Sequence, residues 1–335
     1  MPSLTQKELS AKFIEKLLMF NFSEEDSETL SSIFTENTLV GVSSHGVNRF
    51  AAFIELVKSS HINPKAIPIK TNAFNALEQW DAQQGAGPLN AIKMTSRAIE
   101  LADEFGIGCV ALKNSNHWMR PGYYAWEAAN KGYVFICWTN TIPIMPPWGA
   151  KQPRTGNNPI VFGVPRDKGN IVLDIALSQF SYGKLANYRR EGKELPYFGG
   201  YDEEGNLSKD AAQIYKTMRP LPIGYWKGAG LSLLLDLIAT ILSGGNSTKD
   251  LSKTNIDSAM SQVYIAIDPN KFSSKEILEN SVNEILSYYL SAKNMQDEVV
   301  SYPGERIIKS REYNLKNGIQ VDEIIWKRIL ELKVS

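Results

Sequence analysis

The spacing of apolar residues predicts a helical beginning for this chain of 335 residues. Apolar side chains recur at helical intervals within 9–18, 30–39 and 50–57, so that each series covers one face of a helix. Ser23 and Asp26 predict the cap of the second helix, and Gly41 lies just past its end. The polar segment 43–49 therefore connects two helices, and connections of this kind often carry functional residues.

Farther along the chain, helical and strand patterns alternate. A charged turn ending in glycine separates two of the apolar runs, which predicts a hairpin and a sheet that is at least partly antiparallel. The predicted elements are helix 91–105, strand 109–112, helix 122–130, strand 134–138, strands 160–164 and 171–175, strand 262–268 and helix 322–333. The longest apolar stretch, 231–242, is shorter than the about 20 residues of a membrane span and predicts a central buried helix.

These elements predict the α/β (α+β) class, with a mixed, partly antiparallel sheet beside a helical domain. Residues 1–70, joined by part of the C-terminal half at about 210–335, form the predicted helical domain. Residues 71–209, extended by about 255–310, form the predicted α/β domain.

Composition narrows the functional class. The 36 basic and 36 acidic residues cancel, so a strongly basic surface for nucleic acid is not expected. Cys109 and Cys137 each lie in an apolar run, which predicts two buried, reduced thiols and a cytoplasmic protein. The N-terminus has no apolar signal region, and no membrane partner is expected.

Several motifs that identify enzyme classes do not occur in the sequence. The three histidines lack the spacing of metal ligands, and no His-Glu-x-x-His or Cys-x-x-Cys is present, so no metal is expected. A serine hydrolase is disfavoured because the sequence contains no Gly-x-Ser-x-Gly motif. The Gly-x-Gly-x-x-Gly fingerprint of a Rossmann sheet is also missing.

The histidines that remain suggest proton transfer. His45 lies in the polar connection, and Arg49 follows about one helical turn later. Reduction of a 2-keto acid needs this pair, because a guanidinium holds the carboxylate while an imidazolium protonates the oxygen. A purely structural loop pair has the same spacing. His117 follows a strand, where ligand groups collect in α/β folds, but a buried structural histidine would look alike. His61, before a proline turn, is interpreted as a surface or capping residue.

Two further segments allow more than one interpretation. Trp226-Lys227-Gly228-Ala229-Gly230 precedes an apolar helix and could seat a phosphate, although a simple turn is preferred on the sequence alone. The stiff loop 145–151, which contains Trp148, could hold a shape against a ligand or form a rigid crossing.

Taken together, the segments resemble the malate/L-lactate dehydrogenase-like family of NAD(P)-dependent 2-keto-acid reductases. The matching stretches are Ser-His-Gly-Val-Asn-Arg-Phe (44–50), Glu-Gln-Trp-Asp-Ala-Gln (78–83), Asn-His-Trp-Met-Arg (116–120), Ile-Cys-Trp-Thr-Asn (136–140), Met-Pro-Pro-Trp-Gly-Ala-Lys (145–151), Phe-Ser-Tyr-Gly (180–183) and Gly-Tyr-Trp-Lys-Gly (224–228). The second, third and fifth look most like the branch that reduces 2,3-diketo-L-gulonate.

The resemblance implies a non-Rossmann NAD-binding domain, a homodimer, and a role for each matching residue. His45 corresponds to the proton donor, and a neighbouring group is expected to keep it protonated near neutral pH. The expected substrate-binding residues are Ser44, Arg49, His117, Thr141 and Trp148, with Trp118 and Tyr182 as further candidates for the pocket lining. The expected cofactor-binding residues are Asn170, Ile171, Val172, Leu173, Asp174, Ile175, Ala176, Trp226, Lys227, Gly304, Glu305 and Arg306.

The reaction that the resemblance implies is hydride transfer from NADH, with NADPH possible, to C2 of 2,3-diketo-L-gulonate, giving 3-dehydro-L-gulonate. Departures from the branch at 166–173, 293–302 and Arg306 leave the adenosine end of the cofactor open. The alternatives are a malate, lactate, sulfolactate or ureidoglycolate dehydrogenase, and, in another class, a non-catalytic ligand-binding protein on the same fold.

Overall fold

A seven-stranded mixed sheet forms the centre of the structure, a computed structural model that describes residues 2–254, 256–295 and 298–334. The predicted domain ranges also include Met1, Asn255, Gln296, Asp297 and Ser335, which lie outside the described residues. The strands are β1 (Ser3–Leu4), β2 (Ile69–Phe74), β3 (Leu77–Asp81), β4 (Ile107–Ser115), β5 (Val134–Thr139), β6 (Ile160–Val164), β7 (Ile171–Ile175), β8 (Gly200–Tyr201), β9 (Leu207–Ser208), β10 (Met260–Ile267) and β11 (Ile319–Gln320).

Helices surround this sheet and account for most of the first sixty residues. They are α1 (Gln6–Met19), α2 (Glu24–Leu39), α3 (Val47–Lys58), α4 (Gly87–Phe105), α5 (Gly122–Asn130), α6 (Tyr182–Glu191), α7 (Ala211–Thr217), α8 (Trp226–Ser243), α9 (Thr248–Leu251), α10 (Lys275–Leu290), α11 (Glu305–Asn317) and α12 (Glu323–Leu330). The structure therefore confirms the predicted class, and the proposed division into domains stays a prediction.

The order of the strands brings several strand ends to one edge. The order in the large sheet is β2-β3-β4-β10-β5-β6-β7, and only β3 and β4 pair in parallel. Since β10 is antiparallel to both β4 and β5, and β6 to both β5 and β7, strands β4, β5 and β7 run in one direction. Their carboxyl ends thus share an edge with the first residues of β10.

Stacked phenylalanines fix the N-terminal helices against one another. The rings of Phe13 and Phe50 stack with their centroids 4.3 Å apart, and Phe34 meets Phe50 edge to face at 5.1 Å. All three side chains are fully buried. This contact joins α1, α2 and α3, so the short connection between α2 and α3 leaves a rigid base.

The sequence pattern did not predict the hairpin of β2 and β3. Every residue of β2 is exposed, so the alternation of apolar and polar residues that marks a half-buried strand is missing. Buried Glu78 in β3 accepts hydrogen bonds from Lys70 and Arg97, which neutralise its charge and hold its pKa at about 2.

The prediction of a helix over residues 231–242 is confirmed, but the prediction that this helix is buried is wrong for a single chain. These residues belong to α8, whose inner residues Leu235 and Ala239 pack against the sheet. The outer face is exposed and almost wholly apolar: Leu231, Leu233, Leu234, Leu237, Ile238 and Ile241. Within the described ranges, α8 is the one helix whose length and composition would also suffice for a membrane span, and about 28% of it is buried.

Both cysteines are free, as expected for reduced thiols, but they differ in exposure. Cys137 is buried, whereas Cys109 is only half-buried, so the expectation of two buried thiols holds for one of them.

Candidate active site

A cleft of about 430 Å³ opens where the strand ends meet. His117 follows β4, Thr141 follows β5, Asp174 lies near the end of β7, and Met260 begins β10; all four line the cleft. Ser44 and His45 reach it from the connection between α2 and α3. The sheet topology thus explains how residues far apart in sequence meet at one place.

A tight 3₁₀ turn, Ser43–His45, carries the predicted proton donor. The side chain of Asn37 donates to the carbonyl oxygen of His45 at 3.1 Å. Gly46 follows, and a Cβ atom added there would lie 2.3 Å from the Thr38 hydroxyl oxygen. Only glycine therefore lets the turn pack this closely on α2, which fixes the position of the imidazole.

His45 and His117 form a stacked pair. Their ring centroids are 5.7 Å apart and their planes are inclined by 15°. The backbone N–H of Met119 donates to Nδ1 of His117 at 3.0 Å, so this nitrogen carries no proton and Nε2 is the donor. Nδ1 of His45 lies 3.1 Å from the Ser44 hydroxyl, leaving its Nε2 without an intramolecular partner among the described residues.

Both imidazoles are neutral at pH 7 in the chain without ligands. Burial, together with repulsion from His117, Arg49 and Arg120, lowers the pKa of His45 to about 3. Burial and Arg49 likewise lower the pKa of His117 to about 3. The expectation that a neighbouring group keeps His45 protonated is therefore wrong for this state, because its charged neighbours are cations.

Arg49 lies beside the two histidines without lining the cleft itself. One guanidinium nitrogen is 3.4 Å from a carboxylate oxygen of Asp257, which is a long contact for an ion pair. Burial raises the pKa of Asp257, and Arg49 opposes that rise. Arg49 thus keeps most of its donors available within reach of an anion bound beside His45.

Arg120 was not predicted as a site residue, although it lies in the motif Asn-His-Trp-Met-Arg (116–120). Its side chain is 6% exposed and lines the cleft. No ion pair or side-chain hydrogen bond of Arg120 joins it to another described residue within 4 Å. Burial lowers its pKa, and the negative charges of Asp174 and Glu36 oppose this lowering. A buried guanidinium without a close partner at a cleft wall fits an anionic ligand. The signal available in sequence was its place three residues after His117, in the same motif.

The predicted cofactor segments fall partly inside the cleft. Val172, Leu173, Asp174 and Ala176 line it, and so do Gly304 and Arg306 at the start of α11. Asp174 accepts a hydrogen bond from the backbone N–H of Gly122 at 2.8 Å, and burial raises its pKa. The cleft also contains residues that the analysis did not single out: Val42, Met119, Pro121, Thr139, Asn157, Pro159, Ser181, Pro303 and Ile307.

Other predicted residues lie outside this cleft. Ile171, Ile175 and Glu305 do not line it, and Asn170 holds the β6–β7 turn through Arg166 and Asn130. Trp148 packs against Tyr225 at 5.0 Å between ring centroids, and Trp226 and Lys227 begin α8. Of the two further lining candidates, Trp118 lines the cleft and Tyr182 donates to the carbonyl of Ile144 instead.

Residues 4–330 match the family model for malate/L-lactate dehydrogenase. The 2,3-diketo-L-gulonate reductases of Salmonella paratyphi A and Klebsiella pneumoniae are each 44% identical over 98% of this chain and 99% of their own. The resemblance inferred from the motifs is therefore confirmed.

Solved structures of the same architecture agree. The sulfolactate dehydrogenase of Methanocaldococcus jannaschii, 28% identical, superposes with a TM-score of 0.90 over 98% of this chain and 95% of its own. The malate dehydrogenase of Pyrococcus horikoshii, 26% identical, superposes with a TM-score of 0.89 over 98% and 94%. All these relatives are reductases or dehydrogenases, which confirms the predicted class of oxidoreductase. The chain belongs to the malate/L-lactate dehydrogenase family.

Proposed function

We propose that this protein is a nicotinamide-dependent reductase of a 2-keto acid, with 2,3-diketo-L-gulonate as its substrate and 3-dehydro-L-gulonate as its product. The observation that carries the proposal is the stacked pair of His45 and His117 in a cleft flanked by Arg49 and Arg120. The names of the relatives at 44% identity support the diketo acid as the substrate.

Each residue has a role that its position supports. Arg49 holds the substrate carboxylate, since its fork of donors matches two carboxylate oxygens. His117 donates from Nε2 to a substrate oxygen, because Met119 occupies its Nδ1. His45 donates a proton to the oxygen on C2. The reduced nicotinamide, when bound, supplies the hydride for C2, so the ketone gains a hydride and a proton.

An anionic substrate changes the protonation of His45. In the free chain, cations and burial disfavour the imidazolium. A carboxylate entering beside Arg49 adds a negative charge near both rings, which raises the pKa of His45 and lets it take up the proton that it donates. Ser44 orients the ring from Nδ1, and Thr141 in the cleft wall completes the proposed substrate contacts.

The residues of the cleft fit a dinucleotide. Arg120 and the N-terminal end of α11 at Gly304 offer a cation and the positive end of a helix dipole to a pyrophosphate. The cofactor segments 170–176 and 304–306 therefore remain in the proposal, with NADH as the cofactor and NADPH as its alternative.

The exposed apolar face of α8 supports the proposal that the protein forms a homodimer. A second copy covers the outward leucines and isoleucines, which a lone chain leaves in water at a cost of roughly 25 cal/mol per Å². Trp226, 65% exposed, and Lys227 begin the same helix and do not line their own cleft. In the dimer they would reach the cofactor of the partner. A cytoplasmic location is part of the same proposal.

The testing experiment follows NADH or NADPH oxidation by absorbance with 2,3-diketo-L-gulonate, oxaloacetate, pyruvate and glyoxylate. A preference for the diketo acid supports the proposal in full. If only a small keto acid is reduced, the proposed mechanism stands, and the substrate is that of a malate- or lactate-type dehydrogenase. Absence of oxidation together with absence of cofactor binding would favour the non-catalytic alternative.

A further inference from the structure

A second cavity, of about 670 Å³, adjoins the cleft. The two share Arg120 and Ile307 in their walls, so the cavity continues the cleft past the buried guanidinium. Faces of α2, α5 and α11 and the turn between β6 and β7 form it. Besides the two shared residues, its wall includes Glu36, Tyr123, Trp126, Glu127, Lys168 and Arg311.

The two carboxylates between the helices differ in their partners. Glu36 accepts a hydrogen bond from Nε of Arg311 at 2.8 Å, which neutralises both groups. Glu127 has no ion pair within 4 Å and no side-chain hydrogen bond among the described residues. Burial raises the pKa of Glu127; Lys131 opposes this rise, and Glu36 adds to it. A partly buried carboxylate without donors is costly, so Glu127 is poised to accept hydrogen bonds from a ligand.

A ligand that extends from the cleft past Arg120 would enter this cavity. It would fit if its anionic group lay beside Arg120 and if a flat ring and hydroxyl groups followed that anionic group. The half-buried faces of Trp126 and Tyr123 offer surfaces to a flat ring. The carboxylate of Glu127 offers acceptors to hydroxyls. A ribose and a base beyond a pyrophosphate have this arrangement.

We infer that this cavity takes the adenosine half of the dinucleotide, and that Glu127 accepts the hydrogen bonds of the ribose hydroxyls and thereby selects NADH over NADPH. The inference rests on the proposed function. A phosphate on the 2′ oxygen brings a charge of about −1.5 to −2. Beside Glu127 that charge meets a like charge in a partly buried place, and the hydroxyl donor is lost.

The experiment measures binding of two fragments without nicotinamide, ADP-ribose and 2′-phospho-ADP-ribose, by isothermal titration calorimetry. Wild-type protein should bind ADP-ribose at least about tenfold more tightly, the effect of one charge-assisted hydrogen bond. Glu127→Gln keeps the shape of the side chain and removes its charge. It should weaken ADP-ribose binding about tenfold and reduce the ratio of the two fragments' affinities. The control Glu104→Gln changes the net charge equally at an exposed position that does not line the cavity, and it should bind like wild type.

Equal or tighter binding of the phosphorylated fragment to wild-type protein would overturn the inference, and Lys168 would then be the residue that meets the phosphate. So would a Glu127→Gln variant with unchanged preference and an unchanged thermal melting temperature. The comparison in wild-type protein needs no variant to fold. If neither fragment binds while NADH-linked keto-acid reduction proceeds, the adenosine site is misplaced and the proposed function stands. If cofactor and keto acid also fail, the proposed function itself has failed.

Discussion

The imidazoles of His45 and His117 lie face to face with their centroids 5.7 Å apart, although 71 positions along the chain separate them. One ring comes from the turn between two N-terminal helices and the other from the end of a central strand. The pair therefore exists only when the helical layer and the sheet are docked, so it couples the chemistry of the cleft to folding.

Replacing His45 with glutamine should remove the proton donor and leave the fold intact. Loss of a positioned general acid typically lowers turnover by about two to four powers of ten. We expect that loss in kcat for keto-acid reduction, with cofactor affinity by fluorescence nearly unchanged. His61→Gln is the matched control, because His61 lies after α3 beside Ser59 and outside the cleft. Near wild-type turnover in His45→Gln would show that another group supplies the proton.

Stability should fall in acid because of the same two rings. Their folded pKa, about 3, lies below the ordinary 6.5 of histidine, so the unfolded chain binds more protons between these values. The stabilisation is complete above about pH 6.5 and is lost as the pH falls toward 3, by up to about 1.4 kcal/mol per pH unit for each ring.

Urea unfolding measured from about pH 4 to pH 7.5 checks this prediction. His45→Gln removes one of the titrating groups, so its free energy of unfolding should depend less steeply on pH than that of wild type. Equal acid slopes in the two proteins would contradict the lowered pKa of His45.

The direction of catalysis should also depend on pH. Because His45 is neutral in the free chain at pH 7, reduction must first take up a proton, whereas oxidation can use the neutral ring as a base. We expect kcat/KM for ketone reduction to rise as the pH falls from about 8 to 6, while the reverse oxidation keeps its rate. Calorimetry in buffers of different ionisation enthalpy should detect proton uptake when the keto acid binds. Binding without proton uptake would refute this account.

Arg49 should govern the binding of the substrate carboxylate. Arg49→Gln removes the guanidinium, and the loss of a hydrogen bond to a charged group costs about 1.5–3 kcal/mol. KM for the keto acid should therefore rise roughly tenfold to a hundredfold, with a smaller change in kcat. Arg328→Gln, on an exposed position of α12, is the control for net charge. An unchanged KM in Arg49→Gln would contradict this role and would indicate that Arg120 binds the substrate carboxylate instead.

The sequence predicted the elements whose burial has a clear period. Helix 122–130 and strands 160–164 and 171–175 have the predicted bounds, because each buries one regular face or a short apolar run. Strand β2 was not predicted because it forms an exposed edge of the sheet. The exposure of the outer face of α8 was not predicted because apolar composition alone does not distinguish a buried helix face from an exposed one.

In the site, the family resemblance of the motifs around His45 and His117 led to the expectation that both histidines lie near the substrate, whereas their spacing and position alone left structural roles open. The charge state of His45 was not predictable, because it depends on cations that only the folded chain brings near. Arg120 was missed for a related reason. An arginine in a sequence carries no sign of being buried without a partner, and this property is what gives it a role.

The close packing of Gly46 should make it irreplaceable. A Cβ atom would lie 2.3 Å from the Thr38 hydroxyl and 2.8 Å from its backbone nitrogen, so Gly46→Ala must displace the turn that carries His45. We expect a loss of about 1–3 kcal/mol in the free energy of unfolding and a lower kcat. Gly230→Ala is the control, since an added Cβ there meets no atom within 4 Å. Wild-type stability in Gly46→Ala would show that the turn adapts freely.

The outer face of α8 should decide the oligomeric state. Leu234 and Ile241, 53% and 72% exposed, lie two helical turns apart on that face. Leu234→Glu and Ile241→Glu each place a charge where the proposed homodimer buries apolar surface, so light scattering after gel filtration should show a dimer in wild type and monomers in the variants. If Trp226 and Lys227 serve the cofactor of the partner, the monomers should also bind NADH more weakly at unchanged melting temperature. Glu323→Gln on α12 is the control, because it changes an exposed side chain on another helix. A wild-type monomer with full activity would refute both the dimer and the shared cofactor site.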